Sequence, residues 1–80
     1  MKLPRNLSAK ELIKVLNKLG YFETRQKGSH IRLTRTVENS SHNVTIPNHT
    51  PIKIGTLSSI INDISENLKI SKEEIINTYF

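Results

Sequence analysis

Apolar residues recur at helical spacing near the start of the chain. They place four side chains on one face of a helix: Leu12, Val15, Leu16 and Leu19. Ser8 and Glu11 precede them at capping-box spacing, in which the serine hydroxyl accepts the amide of residue 11 and the glutamate reaches back. Gly20 then offers the left-handed backbone that ends many helices. The pattern predicts a helix that begins after Ser8 and ends at Gly20.

Between residues 21 and 46 the pattern changes to short segments of the kind that form strands. We predict strands over residues 21–26, 30–35 and 43–46. A tight turn at 27–29 joins the first two strands, since Gly28 can adopt a turn backbone without steric cost. The polar, aperiodic segment 38–43 predicts a hairpin loop, and Pro47 ends the third strand.

Two further helices are predicted after a connecting loop at 48–53. The second helix starts between Ile54 and Thr56 and carries an apolar stripe: Leu57, Ile60, Ile61 and Ile64. Ser71 and Glu74 repeat the capping-box spacing and start a short C-terminal helix. The order helix–strand–strand–strand–helix, followed by that short helix, predicts one α+β domain over residues 1–80. We expect a three-stranded antiparallel sheet with its helices packed on one face.

Strict alternation in the second predicted strand assigns side chains to the two faces of this sheet. If Ile31 and Leu33 point into the core, then His30, Arg32 and Thr34 point away from it. Because the helices cover one face, these polar residues lie on the open face. The alternation therefore displays a histidine and an arginine, two residues apart, on a strand.

Composition narrows the classes of protein that this chain can represent. Hydrophobic residues make up 35% and charged residues 24%, a balance typical of a folded domain. Apolar residues never occur more than two in a row, so we expect neither a membrane span nor a signal peptide. The chain has no cysteine, which excludes disulfides, thiolate metal sites and a cysteine nucleophile. The cytoplasm is the compartment that we expect by default.

Charge is distributed unevenly along the chain. Residues 1–36 contain nine basic and two acidic residues, whereas residues 37–80 contain three basic and five acidic ones. The first segment therefore has a formal charge of +7 and the second of −2. A basic half joined to a mildly acidic half suggests one surface that binds a polyanion. The alternative is the ordinary solvated surface of a small basic protein.

The three histidines differ in the chemistry that their positions allow. His30 stands on a strand close to Arg25, Lys27 and Arg32, where an imidazole could take the proton of a ribose 2′-hydroxyl while arginine stabilises charge on the phosphate oxygens. The alternative is a surface histidine that only contacts phosphate. His49, after the third strand, is a possible helper acid or base. We expect His42 to be a solvated loop residue, and the histidine spacing predicts no metal site.

Basic and polar residues of the first half are candidate RNA contacts. Cations that position a nucleic acid through its phosphates would be Lys10, Lys14, Arg25, Lys27 and Arg32. Ser29 either donates to a phosphate or bonds backbone in the turn. It does not form a dyad with His30, because adjacent strand residues point to opposite faces.

The segment Gly20-Tyr21-Phe22-Glu23-Thr24-Arg25-Gln26-Lys27-Gly28-Ser29-His30 closely resembles the signature of the HicA family of toxins. The resemblance continues in Val44-Thr45-Ile46-Pro47, in His49 and in Lys53-Ile54-Gly55-Thr56-Leu57, and it covers roughly residues 8–64. Three parts depart from the compact family pattern. Residues 36–43 make a longer, Asn/Ser-rich hairpin, and both Met1–Leu7 and the third helix beyond Ile64 extend past the shortest family members.

The resemblance implies a fold similar to that of double-stranded-RNA-binding domains. It implies the toxin of a type II toxin–antitoxin system, an mRNA interferase that needs no metal or organic cofactor, with the catalytic histidine of Gly-Ser-His carried over to His30. A HicB-type antitoxin would bind the toxin and block its site. We expect the free toxin to be a monomer.

Two other functions stay open at this point. A non-catalytic RNA-binding module of the same fold would recognise A-form RNA by shape and phosphate contacts. A protein that serves only as the docking surface of a partner would have no salt-dependent affinity for RNA.

Overall fold

Three helices cover one face of a three-stranded sheet in the computed structural model, which describes residues 3–80. In chain order the elements are α1 (Ala9–Lys18), β1 (Phe22–Lys27), β2 (His30–Val37), β3 (Ser40–Pro47), α2 (Ile54–Leu68) and α3 (Lys72–Tyr79). This order confirms the predicted α+β fold, including the short C-terminal helix.

Both ends of α1 follow the local signals in the sequence. The Ser8 hydroxyl accepts a hydrogen bond from the Glu11 amide at 3.1 Å, and the Glu11 carboxylate accepts one from the Ser8 amide at 2.9 Å. These bonds, the Ser8 amide first, lower the pKa of the Glu11 carboxyl below its ordinary value. At the other end Gly20 has a φ of 93°, and the Tyr21 amide donates to the Leu16 carbonyl at 2.9 Å. This is the glycine-dependent helix end that the sequence predicts.

The second and third helices begin close to the predicted positions. Lys53 precedes α2, and Lys69 ends that helix in the left-handed region, with φ 58° and ψ 39°. The Ser71 hydroxyl accepts the Glu74 amide at 3.0 Å and starts α3, as the capping spacing predicts.

The sheet has the order β1-β2-β3, and both strand pairs are antiparallel. A two-residue turn joins β1 to β2, with Gly28 at φ 59° as its first central residue. Positive φ at this residue alone is the pattern of a type II′ turn, which suits the twist of a hairpin. The predicted turn is therefore confirmed.

The hairpin loop that we predict at 38–43 is wrong. β2 continues to Val37, β3 begins at Ser40, and a two-residue turn with Glu38 at φ 55° joins them. Pairing of Val37 with Ser40 extends the ladder to the turn. This end of the sheet lies beyond the apolar core, so its side chains are polar and lack the alternation that marks a half-buried strand. The two strands are thus joined by a tight turn and not by a loop.

One face of the sheet carries the core. The sheet contributes four buried side chains to it: Ile31, Leu33, Val44 and Ile46. They join one cluster with buried residues of α1, α2 and α3, represented by Leu12, Leu16, Leu57, Ile61 and Ile75. All three helices therefore pack on this inner face, as predicted. The opposite, outer face of the sheet is left open.

Within residues 3–80, none of the helices has both the length and the apolar character needed to cross a membrane. The 15 residues of α2 fall short of the roughly 20 that a spanning helix requires.

Candidate nucleic-acid interface

A shallow cavity of about 280 Å³ opens on the outer face of the sheet. The residues that line it come from all three strands: Arg25, Lys27, His30, Arg32 and Thr45. Strand pairing explains why they meet, since Lys27 pairs with His30, while Arg32 pairs with Arg25 on one side and Thr45 on the other. Side chains of directly paired residues lie on the same face. The sheet therefore brings together four of the residues that the sequence nominated.

An irregularity in β1 determines which of its side chains reach this cavity. Strict alternation from Phe22 would place Arg25 and Lys27 on the opposite face from Phe22. Instead, the pairing of β1 with β2 contains one register shift, with Thr24 as the extra residue. The Thr24 hydroxyl lies 2.9 Å from that of Thr34, on the outer face. The bulge thus puts both cations on the same face as Phe22.

His30 stands at the first position of β2, directly after the Gly28-Ser29 turn. Its side chain is exposed on the outer face because the neighbouring Ile31 is buried on the inner one. The Ser29 carbonyl accepts a hydrogen bond from the Asn48 amide at 2.6 Å, which joins the loop after β3 to this turn. This bond to Ser29 and the pairing of His30 with Lys27 and Pro47 hold the backbone of His30 in place.

The charge of the cavity is positive. Arg25, Lys27 and Arg32 line it, and no carboxylate does. Within residues 3–80, none of these three cations lies within ion-pair distance of a carboxylate. Their charges are therefore available to an anion, and a chain of phosphates is the polyanion that such a surface attracts.

The cavity contains one imidazole, that of His30, as a candidate group for acid–base chemistry. In the part of the chain from 3 to 80, no three His, Cys, Asp or Glu side chains form a cluster that could hold a metal ion. An imidazole among guanidinium and ammonium groups can accept a proton beside a bound phosphate while the cations stabilise negative charge.

Four nominated residues lie outside the cavity lining. Ser29 is exposed in the adjoining turn, and His49 is exposed in the loop after β3. Lys10 and Lys14 are exposed on α1, which packs on the inner face of the sheet. Lys10 and Lys14 of α1 therefore lie on a different surface from His30.

Two outer-face residues were missed by the sequence reasoning. Thr45 lines the cavity, and it could have been found because it alternates with the buried Val44 and Ile46. Phe22 is exposed on the outer face, paired with Thr34. Its place was hidden by the bulge, for which the sequence carries no clear signal.

His42 is not the solvated loop residue that we predicted. It lies in β3 with 22% of its side chain exposed, and its Nδ1 is 2.7 Å from the Tyr21 hydroxyl. Its Nε2 lies 3.4 Å from the Asp63 carboxylate. Tyr21 is fully buried, and burial raises the pKa of its hydroxyl, with Asp63 adding to the rise and Arg35 opposing it. These contacts join Tyr21, β3 and α2, and we interpret this second polar cluster as structural.

The segment that forms the cavity matches a known protein family. The sequence model of the family described as HicA toxin of bacterial toxin–antitoxin matches residues 9–65. The match includes α1, all three strands, most of α2 and every residue that lines the cavity. Searches of curated proteins and of solved structures found no match.

Proposed function

The chain belongs to the HicA toxin family of bacterial toxin–antitoxin systems, and we propose that it is an endoribonuclease that cleaves mRNA by means of His30. The observation that carries this proposal is the cavity on the outer sheet face, where an exposed imidazole stands among three cations. A site of this composition suits cleavage at a ribose–phosphate linkage, because RNA carries its own nucleophile in the 2′-hydroxyl.

Binding would rest on the phosphates of the RNA. Arg25, Lys27 and Arg32 contact oxygens of neighbouring phosphates along the RNA strand. Release of the counterions condensed on the RNA then drives association. Such contacts position a strand without reading its sequence. Ser29 adds a hydroxyl beside the same turn, where it can donate to a phosphate oxygen.

The reaction would be an in-line transesterification. The His30 imidazole takes the proton of the 2′-hydroxyl, the 2′-oxygen bonds to phosphorus, and the bond from phosphorus to the 5′-oxygen breaks. Arg25 and Arg32 stabilise the charge that develops on the non-bridging oxygens. The products are a 2′,3′-cyclic phosphate and a 5′-hydroxyl.

The leaving oxygen must gain a proton as the bond breaks. His30, now an imidazolium, is the acid that lines the cavity, so one histidine serves as base and then as acid. His49 is the second candidate, two residues after Pro47, the strand partner of His30. Sharing both roles in one imidazole predicts slow turnover.

Control of the toxin would come from its antitoxin. We propose a partner of the HicB type that covers the cavity and so denies RNA access to His30 and its cations. The free toxin would act as a monomer, because all three strands that form the cavity belong to one chain.

Incubation of the purified protein with a defined transcript tests the proposal. We expect cleavage products with 2′,3′-cyclic phosphate ends, in the presence and in the absence of EDTA. His30→Ala should abolish cleavage and growth inhibition while leaving RNA affinity largely intact. His42→Ala is the control for loss of an imidazole outside the cavity, and because His42 also bonds Tyr21, all variants are compared at a temperature at which circular dichroism shows each of them folded.

Two outcomes would contradict the proposal. Binding of RNA without cleavage by the unmutated protein would identify a non-catalytic RNA-binding module of the same fold. Absence of salt-dependent RNA affinity would identify a protein that serves only as a docking surface.

A further inference from the structure

Phe22 is an exposed aromatic residue on the outer face of the sheet, whose other side chains are polar apart from Pro47. Its side chain is 58% exposed, more than that of Val37 or Ile54, the other large apolar side chains exposed within residues 3–80. Pairing of Phe22 with Thr34 places it on the outer face, because Thr34 alternates with the buried Leu33. A single exposed apolar residue is ordinary on a protein surface, so what distinguishes Phe22 is the surface on which it lies.

The bulge at Thr24 places this ring and the cationic cavity on one continuous surface. Phe22 precedes the bulge, and Arg25 and Lys27 follow it on the same face. Along β2, Thr34 lies four residues from His30, which corresponds to about 13 Å at the rise of an antiparallel strand. A strand of RNA bound at His30 can therefore extend to Phe22 within a few nucleotides.

We propose that Phe22 is a base-stacking subsite for single-stranded RNA, adjoining the phosphate-binding cavity. This inference rests on the proposed function, and it adds the class of substrate that the surface selects. The ring stacks on the face of an unpaired base while the phosphates on one side of that base contact Arg25, Lys27 and Arg32.

The availability of free base faces favours a single strand over a duplex. Bases in a duplex are stacked on each other and offer no free face, whereas bases of a single strand can be splayed onto an aromatic ring. Every base has such a face, so stacking tolerates many sequences. Phe22 would then raise affinity for unpaired RNA and hold the strand in register with His30, without taking part in the chemical step.

The other exposed apolar residues do not share this position. Val37 continues the parity of Ile31 and Leu33, which is that of the inner face, at the far end of β2. Ile54 begins α2. Val37→Ala is therefore a matched control that removes exposed apolar surface outside the proposed RNA path.

The test measures cleavage and binding of one RNA sequence as a single strand and as a duplex with its complement. Phe22→Ala should raise KM for the single strand by about tenfold, the usual scale for loss of one stacked base, with kcat unchanged. Phe22→Trp should restore a low KM, and Val37→Ala should behave like the unmutated protein. In a His30→Ala background, an oligonucleotide that carries 2-aminopurine should lose fluorescence on binding at one position, and Phe22→Ala should abolish that loss.

The results separate this inference from the proposed function. If the protein cleaves RNA and Phe22→Ala leaves KM unchanged, the stacking subsite is wrong and the nuclease proposal stands. Equal cleavage of single strand and duplex would also overturn the subsite. If the unmutated protein cleaves no RNA but Phe22→Ala still weakens its binding to single strands, the subsite stands and the nuclease proposal falls.

Discussion

The hydroxyl of Tyr21 lies 2.7 Å from Nδ1 of His42, and this hydrogen bond joins the segment after α1 to the third strand. The Nε2 atom of the same imidazole lies 3.4 Å from Asp63 on α2. The Tyr21 hydroxyl also lies 3.3 Å from Oδ1 of Asn67, and its single proton can be donated to only one of the two acceptors. Because a carboxylate only accepts, a proton on Nε2 lets His42 donate to Asp63, and Nδ1 is then the acceptor of the Tyr21 proton. The three side chains connect the sheet to α2 at the end where strand residues are polar.

Removal of the Tyr21 hydroxyl should destabilise the fold. Tyr21→Phe keeps the buried ring but removes the hydroxyl that contacts His42 and Asn67, and we expect the free energy of unfolding to fall by about 1 kcal/mol. Urea denaturation measures this change. Tyr79→Phe, at a partly buried tyrosine on α3, is the control and should have a smaller effect. Equal losses in the two variants would show that the bond to His42 adds no stability.

The same hydroxyl should make the protein sensitive to alkali. Burial raises the pKa of Tyr21 above its ordinary value of 10.0, so the folded state favours the protonated form. This contribution is complete below pH 10.0 and is lost as the pH rises through the higher pKa of the folded protein. Tyr21→Phe should therefore lose less stability than the unmutated protein over this range. Melting temperatures across the alkaline range provide the measurement, and parallel curves would contradict the prediction.

The turn between β2 and β3 should accept glycine at one of its two positions. Glu38 has a φ of 55°, a conformation that costs residues with a Cβ roughly 1 kcal/mol. We expect Glu38→Gly to raise the free energy of unfolding by a few tenths up to about 1 kcal/mol. Asn39→Gly, at the position without positive φ, should lower it. A flexible loop at 38–43 would respond to both substitutions in the same direction, and thermal denaturation distinguishes the two cases.

The salt dependence of RNA affinity should distinguish the cations of the cavity from those on α1. For single-stranded RNA each phosphate contact contributes about 0.7 to the slope of log affinity against log salt concentration. Lys27→Ala should reduce the slope by that amount, because Lys27 lines the cavity. Lys10→Ala is the matched control on α1 and should leave the slope unchanged. An equal reduction in both variants would mean that the RNA also contacts α1, as the charge pattern alone suggests.

Deletion of Thr24 should preserve the outer face. Without the extra residue, β1 becomes a regular strand in which Arg25 still pairs with Arg32 and Lys27 with His30. We expect RNA affinity and its salt slope to persist, with a small loss of stability from the missing contact to the Thr34 hydroxyl. Insertion of one alanine after Arg25 should instead turn Lys27 to the inner face and weaken binding. Titration with labelled RNA compares the two variants, and loss of binding in the deletion would contradict this account.

The element order could be predicted from the sequence, and the reasons are local. The bonds between Ser8 and Glu11 and the positive φ of Gly20 involve residues close together in the chain, so short sequence signals mark both ends of α1. Alternation of Ile31 and Leu33 likewise assigned His30 and Arg32 to the open face. The polar end of the β2–β3 hairpin gave no such signal, and its strands were mistaken for a loop.

The sequence by itself determined the helices, the core face of β2 and the positive charge of the first half, because each depends on residue type and short-range spacing. The tertiary structure decided three further things: that Arg25 and Lys27 share the face of Phe22, that Lys10 and Lys14 do not line the cavity, and that His42 is a structural residue. Register against a neighbouring strand, packing of a helix on one sheet face and a bond across 21 residues all arise between segments distant in the chain. Such relationships are set by the free energy of the assembled fold, which no local pattern contains.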